Sequence, residues 1–170
     1  MNTKFTGEIK FRKAEIDETD CVFSIFSSAV ADLEDRGIFQ WDSVYPDRDT
    51  IKNDILNKTL YVGTFSDEII AVFVLSKEFD DAYNFAMWSS DSYIILHRLC
   101  IHPKWQNKGI GRKTMAYIEK LLIKNGIGSV RLDAFSKNPY SIKLYESIGY
   151  KKVGKANWRK GLFYIYEKCL

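Results

Sequence analysis

The sequence predicts a mixed α/β fold, a central mixed β-sheet of about six to seven strands flanked by helices. Three observations predict it. Strand-like apolar segments stand before, between and after segments of helical periodicity. The longest such strand, Ser92 to His102, runs into a turn with two glycines, and that turn opens an amphipathic helix. A chain of 170 residues is most simply one domain, 1–170, burying roughly 70% of its unfolded surface.

Along the chain, Ile9 to Arg12 reads as a first strand. Asp17 and Thr19 are expected to cap a helix whose stripe is Val22, Ile25, Phe26, Ala29, Val30 and Leu33, with Gly37 breaking it. Ile38 to Pro46 is a loop rich in aromatics, and Thr50 to Asn57 a short helix with Ile51 and Ile55 one turn apart. Leu60 to Phe65 and Ile69 to Lys77 are strands joined by a hairpin turn at Ser66-Asp67-Glu68. Glu78 to Asp91 is a long polar and aromatic connection to the central strand. Gly109 to Lys124 is a helix with Ile110, Thr114, Ile118, Leu121 and Leu122 inward. Val130 to Phe135 is a strand and Asn138 to Ile148 a helix, with closing strands near Tyr150 to Lys155 and Leu162 to Lys168.

Composition excludes several classes. A net charge of +3 lacks the dense basic stripe that nucleic acid requires. No apolar run reaches the roughly 18 residues needed to cross a bilayer. Met1 to Lys10 has no apolar core of the signal-peptide type. Cys21, Cys100 and Cys169 are widely spaced and form no metal-ligand pattern with His97 and His102. Reduced thiols, a cytoplasmic location and no metal are therefore expected.

The segment Leu99-Cys100-Ile101-His102-Pro103-Lys104-Trp105-Gln106-Asn107-Lys108-Gly109-Ile110-Gly111-Arg112 carries the main chemical signal. The first N–H groups of a helix lack intrahelical partners, and the helix dipole adds positive charge there. Glycines let a phosphate approach such a backbone closely. Lys108, Arg112 and Lys113 add cations, so a pyrophosphate would suit this turn. A tight strand-to-helix turn would use the same glycines without a ligand. A Walker loop is excluded because Lys113-Thr114 follows Arg112 rather than glycine. A Rossmann fingerprint is excluded because its third glycine would fall at Thr114.

Downstream, Arg131-Leu132-Asp133-Ala134-Phe135 alternates as a strand. Asn138 then caps a helix with Pro139 at its first position, Leu144, Tyr145 and Ile148 share one face, and Gly149 ends it. Four pieces now stand in order: an apolar strand ending in His102-Pro103, the Gln106-x-x-Gly109-x-Gly111 turn, Asn138, and Leu144-Tyr145-Glu146-x-x-Gly149-Tyr150. Together they resemble the GNAT superfamily of acyl-CoA-dependent N-acyltransferases. The pieces span Ile94 to Tyr150, and the upstream elements fit the same fold more loosely.

The resemblance implies a central strand that splays from its neighbour and holds acetyl-CoA as a cosubstrate. By position, Leu99, Cys100 and Ile101 would pair with the pantetheine. Gln106, Asn107, Lys108, Gly109, Ile110, Gly111 and Arg112 would form the pyrophosphate turn, with the N–H groups from Asn107 through Arg112 seating it. It implies acetyl transfer to a primary amine by direct attack. A base or water chain takes the amine proton, and a central-strand N–H stabilises the oxyanion. Tyr145 matches the family's proton donor to the leaving thiolate, while simple packing beside Leu144 and Ile148 would also explain it. Asn138 would contact the cofactor or a water besides capping its helix. His97, Asp133, Glu34 and Asp35 are candidate bases, and each also has an ordinary structural use. Cys100 would permit an acylated-thiol route, but direct transfer is the family's usual one.

The acceptor, a small molecule, amino acid or peptide amine, would meet the first helices and the loops carrying Phe39, Trp41, Tyr45, Phe85 and Trp88. Asp42, Asp80, Asp81 and Asp91 add acidity there. The same aromatics would equally cover the core or a dimer face. Phe163, Tyr164 and Tyr166 on the closing strands permit a homodimer through an exposed edge. Two alternatives share the scaffold: a non-enzymatic acyl-CoA-binding sensor or interaction module, and a protein N-terminal or lysine acetyltransferase.

Overall fold

A computed structural model describes residues 5–170. Seven strands, β1 (Lys10–Lys13), β2 (Leu60–Phe65), β3 (Glu68–Ser76), β4 (Tyr93–Ile101), β5 (Ser129–Phe135), β6 (Lys151–Trp158) and β7 (Gly161–Cys169), take the order β1-β2-β3-β4-β5-β7-β6. The helices are α1 (Thr19–Asp35), α2 (Arg48–Leu56), α3 (Ile110–Lys124) and α4 (Pro139–Ser147). The β4–β5 pair is parallel, with α3 as the crossover, whereas β1–β2, β2–β3, β5–β7 and β6–β7 are antiparallel. The expected mixed α/β class is what forms. No helix among the described residues is long and apolar enough to cross a membrane.

The chain divides into two compact units, Met1–Leu75 with Arg98–Thr114, and Ser76–His97 with Met115–Leu170. The first unit holds the β1-β2-β3 meander. Its hairpin turns at Ser66 and Asp67, both left-handed (φ 48° and 63°), with Phe65 opposite Glu68. That two-residue geometry matches the right-handed strand twist. Val22, Ile25, Phe26 and Ala29 of α1 join a buried cluster with Ile51 and Ile55 of α2, Val62 of β2, Val72 of β3 and Cys100. Each fully buried aliphatic side chain here contributes about 1.5–3 kcal/mol.

The start of α1 departs from the expected Asp17 and Thr19 caps. A 3-10 turn, Ile16–Glu18, precedes the helix, so capping moves upstream to a reciprocal pair between Glu15 and Glu18. The Glu15 N–H donates to Glu18 Oε2 at 2.8 Å, and Arg12 donates to both Glu18 oxygens at 2.8 and 2.6 Å. The Arg12 hydrogen bonds hold the Glu18 carboxyl below the usual carboxylate range. Thr19 instead donates its hydroxyl to the Ile16 carbonyl at 2.6 Å.

In the second unit, Tyr83 of a 3-10 helix (Asp81–Phe85) joins Ile95, Ala156 and Ile165 in a separate cluster. The 78–91 connection is thereby anchored rather than free. α4 begins as expected, with the Asn138 side chain accepting from the N–H groups of Tyr140 and Ser141 and Pro139 in its first turn. After α4, Gly149 adopts φ 95°, a conformation other residues rarely tolerate.

Candidate active site

In the first unit, the end of β4 leads into the double-glycine turn. His102 closes the strand: its N–H donates to the Ile70 carbonyl at 3.0 Å. Its Nδ1 accepts from the Lys104 N–H at 3.2 Å, capping a 3-10 turn at Pro103–Trp105. Gln106 braces the glycine turn against β4 and α1, donating to the Ile101 carbonyl at 3.1 Å and accepting from Arg36 at 3.2 Å. Asn107 (φ 59°) and Gly109 (φ 82°) are both left-handed. A Cβ placed on Gly109 would meet nothing within 4 Å. Glycine is therefore demanded by backbone conformation, not by crowding.

α3 starts at Ile110, whose side chain is buried with Ile70 and Ala71. The start of the helix is thus anchored from below, while its first N–H groups, including those of Ile110 and Gly111, point along the axis out of the helix end. Lys108 lies over the Trp105 ring at 4.7 Å and Lys113 over the Phe5 ring at 5.7 Å. No acidic residue occurs from Gln106 to Arg112. Left-handed backbone, a helix start, basic side chains and open space above Gly109 fit a diphosphate.

β4 changes character along its length. It pairs with β5 only from Tyr93↔Ser129 to Leu96↔Leu132. β5 itself continues to Phe135 on its β7 side. Arg98 adopts φ 50°, a conformation that breaks a ladder as a bulge does. The three residues expected to supply backbone, Leu99, Cys100 and Ile101, lie just beyond it. The Cys100 side chain belongs to the buried core, and burial pushes its thiol up to about 12. A thiol so held is no nucleophile near neutral pH.

Arg98 was not singled out by its sequence position. Its Nη2 meets Asp54 Oδ1 at 2.7 Å, and its Nη1 donates to the Tyr45 hydroxyl. The aromatic loop is therefore tied to β4 through Tyr45. Trp41 packs edge-on against Phe26 of the core, with centroids 5.4 Å apart. Phe39 is exposed. Asp42 accepts from the N–H groups of Val44 and Tyr45, which makes it a turn residue. Glu34 and Asp35 are exposed at the end of α1.

The second unit holds three residues expected to carry acid–base chemistry, Tyr145, Asp133 and His97. Tyr145 is buried, with its ring 5.8 Å from that of Tyr150 and 6.4 Å from that of Tyr166. Burial, and then the charge of Asp133, push its hydroxyl well above the usual tyrosine range. Its proton is retained near neutral pH, as the role of proton donor requires. Asp133 Oδ2 accepts from the Tyr83 hydroxyl at 2.8 Å. Tyr83 is buried in the cluster around Ile95, and its hydroxyl is likewise raised, first by burial and then by Asp133. His97 is half-buried and comes directly after the last β4–β5 pair.

Trp88 and Arg131 form a second feature that the sequence pattern did not disclose. The Arg131 guanidinium lies 3.9 Å from the Trp88 centroid and 3.6 Å from that of Tyr93. It donates to the Ser90 carbonyl at 2.7 Å and stands 3.8 Å from Glu167. Glu167 also accepts from the Ser89 N–H at 2.7 Å. Trp88 is thus stacked on the protein's own cation. Phe85 is strongly exposed, Asp80 caps its 3-10 helix, and Asp81 and Asp91 face solvent. Among the described residues, no three or more His, Cys, Asp or Glu side chains are grouped so as to hold a metal ion.

The model of the acetyltransferase (GNAT) family matches residues 27–150. Among curated proteins, S-(2-succino)cysteine N-acetyltransferase of Bacillus subtilis (strain 168) is 23% identical over 165 residues, covering 94% of both chains. A GNAT-family acetyltransferase structure from Streptococcus agalactiae is 23% identical, covers 99% of both chains and superposes with a TM-score of 0.82. The PaiA N-acetyltransferase of Thermoplasma acidophilum, solved with coenzyme A, is 18% identical. It covers 96% of this chain and 100% of its own, with a TM-score of 0.71.

Proposed function

The chain belongs to the acetyltransferase (GNAT) family and is an acyl-CoA-dependent acetyltransferase, and we propose that it moves an acetyl group from acetyl-CoA to the primary amine of a small molecule of the amino-acid class. The observation that carries the cosubstrate assignment is the acid-free, left-handed turn at Asn107–Gly109 opening α3. Amino-acid scale follows from the relative named for S-(2-succino)cysteine, which is matched along nearly its whole length.

In this reading, the N–H groups from Asn107 through Arg112 hold the diphosphate, with Lys108 and Arg112 adding charge. The backbone of Leu99, Cys100 and Ile101, beyond the last β4–β5 pair, takes the amide-bearing arm as an added strand. The Asn138 side-chain oxygen caps α4, which sets the side chain at the start of that helix. The cosubstrate supplies a thioester carbonyl carbon for attack. Asp133 receives the proton that the acceptor nitrogen sheds as its bond to carbon forms, and His97 is the second candidate for that role. Tyr145 gives its proton to the departing sulfur and is reprotonated from solvent. The products balance as an N-acetylated amine and a free thiol.

Direct transfer is supported by the burial of Cys100, which removes the obvious thiol nucleophile. Three free cysteines suit a reducing, cytoplasmic setting.

The test is thiol release from acetyl-CoA over a panel of amines, amino acids including S-(2-succino)cysteine, and short peptides, with Tyr145→Phe as control. Turnover on an amino-acid-class amine that collapses in the variant supports the assignment. Turnover confined to peptides makes the chain a protein acetyltransferase. Binding of acetyl-CoA with no turnover on any amine favours a sensor module and defeats the catalytic reading.

A further inference from the structure

The 78–91 connection, read from sequence as an acceptor loop, also delivers a hydroxyl to the candidate base. Tyr83 sits within the 3-10 helix of that connection. Its ring is buried among Ile95, Ala156 and Ile165 and lies 5.4 Å from Trp88 and 6.5 Å from Trp158. The Trp88 indole N–H donates to the Tyr83 carbonyl at 2.8 Å, and the Trp158 N–H donates to Asp80 at 3.1 Å. The tyrosine is held from both ends, and its hydroxyl is aimed at Asp133 Oδ2, 2.8 Å away.

We propose that Tyr83 is a positioning residue for the acetyl transfer: its hydroxyl pins the Asp133 carboxylate as an ionised base and makes the seating of the 78–91 connection a condition of base function. The inference rests on Asp133 acting as the base. β7 places the apolar Ile165 opposite Asp133. On β5, Arg131 lies two residues away but is engaged with Trp88, Tyr93, Ser90 and Glu167. From α4, Tyr145 contributes a neutral, protonated hydroxyl, and on β4 His97 comes after the last paired residue. Asp80, on the same connection as Tyr83, is turned to Ala82 and Trp158.

A hydroxyl donating to a carboxylate stabilises the ionised form. Removing it makes the carboxyl hold its proton to a higher pH. The acid limb of a rate profile that needs the carboxylate must then move upward by the same amount.

The experiment uses Tyr83→Phe, which keeps the buried ring and deletes one oxygen. The whole protein, free of ligand and labelled with 13C-aspartate, is titrated by NMR, with the Asp133 signal identified by its loss in Asp133→Asn. The expected result is an Asp133 titration about one pH unit higher in Tyr83→Phe than in the parent. With acetyl-CoA and the best amine of the panel, the acid limb of kcat/KM is expected to shift by the same interval. The shortfall is then restored as pH is raised. An unchanged Asp133 titration, or an activity loss equal at every pH, overturns the proposal and leaves Tyr83 a packing residue. Asp133→Asn separates the two layers: if that variant keeps full kcat, the base assignment fails. If it is inactive while Tyr83→Phe leaves the acid limb unmoved, only the positioning role fails.

Discussion

The glycine turn of the first unit and the tyrosine–carboxylate cluster of the second are built from opposite materials. The turn is main chain: seven consecutive residues, two of them left-handed, with Lys108 drawn over Trp105. The cluster is side chain: Tyr83, Asp133 and Tyr145 come from a 3-10 helix, a strand and an α-helix. A site made of N–H groups is indifferent to most side-chain changes and sensitive to any change of backbone conformation. A site made of hydroxyls and a carboxylate behaves the other way round. Loss of a single atom there removes a proton donor or acceptor while the fold stays intact.

The sharpest way to break that comparison is Tyr145→Phe. Loss of the proposed proton donor is expected to lower kcat by about 10²–10⁴-fold, with acetyl-CoA affinity nearly unchanged by calorimetry. A parallel loss of affinity would show that the ring's packing, and not its hydroxyl, had been disturbed. Next in size is Glu167→Ala. The Arg131–Glu167 pair is only 8% and 3% exposed in its side chains. Stranding the buried guanidinium is expected to cost about 3–5 kcal/mol in denaturant unfolding. A cost below about 1 kcal/mol would mean that the Trp88 and Tyr93 rings hold Arg131 without its counter-ion.

The backbone side of the comparison predicts smaller effects on a different quantity. Gly109→Ala meets no steric obstacle but must hold φ 82°, at a strain of about 1–2 kcal/mol. It is expected to weaken acetyl-CoA binding roughly tenfold, while kcat at saturation changes little. Lys108→Ala, which alters only a side chain, is expected to weaken binding less than about threefold and to flatten its salt dependence. If Lys108→Ala proves the more damaging, the turn binds through charge and not through its main chain.

This division also explains what could be read in advance. The Gly109 turn, the Asn138 cap and Pro139 were legible because each depends on residues within one turn of chain. The α1 stripe was legible because Val22, Ile25, Phe26 and Ala29 recur at helical spacing. The α1 cap was misplaced because Arg12, from a neighbouring strand, selects Glu18. Asp133 was visible as an acid on a strand. Nothing within its local sequence indicated Tyr83, fifty residues earlier, as its hydrogen-bond donor. Arg98 was passed over because no local pattern marks a strand residue for a left-handed conformation or for pairing with Asp54 and Tyr45.

The sequence by itself determined the mixed α/β order, the family, and the backbone turn suited to a diphosphate. The order and the turn rest on periodicity, capping and glycine placement, which act over a few residues; the family rests on the resemblance of four motifs, matched by the family model over residues 27–150. Only the tertiary structure decided which hydroxyl meets which carboxylate, that Cys100 is sealed in the core, and that Trp88 stacks on Arg131. Those outcomes depend on burial and on pairings between distant segments. Desolvation and hydrogen-bond geometry belong to the folded chain, and no short stretch of sequence carries them.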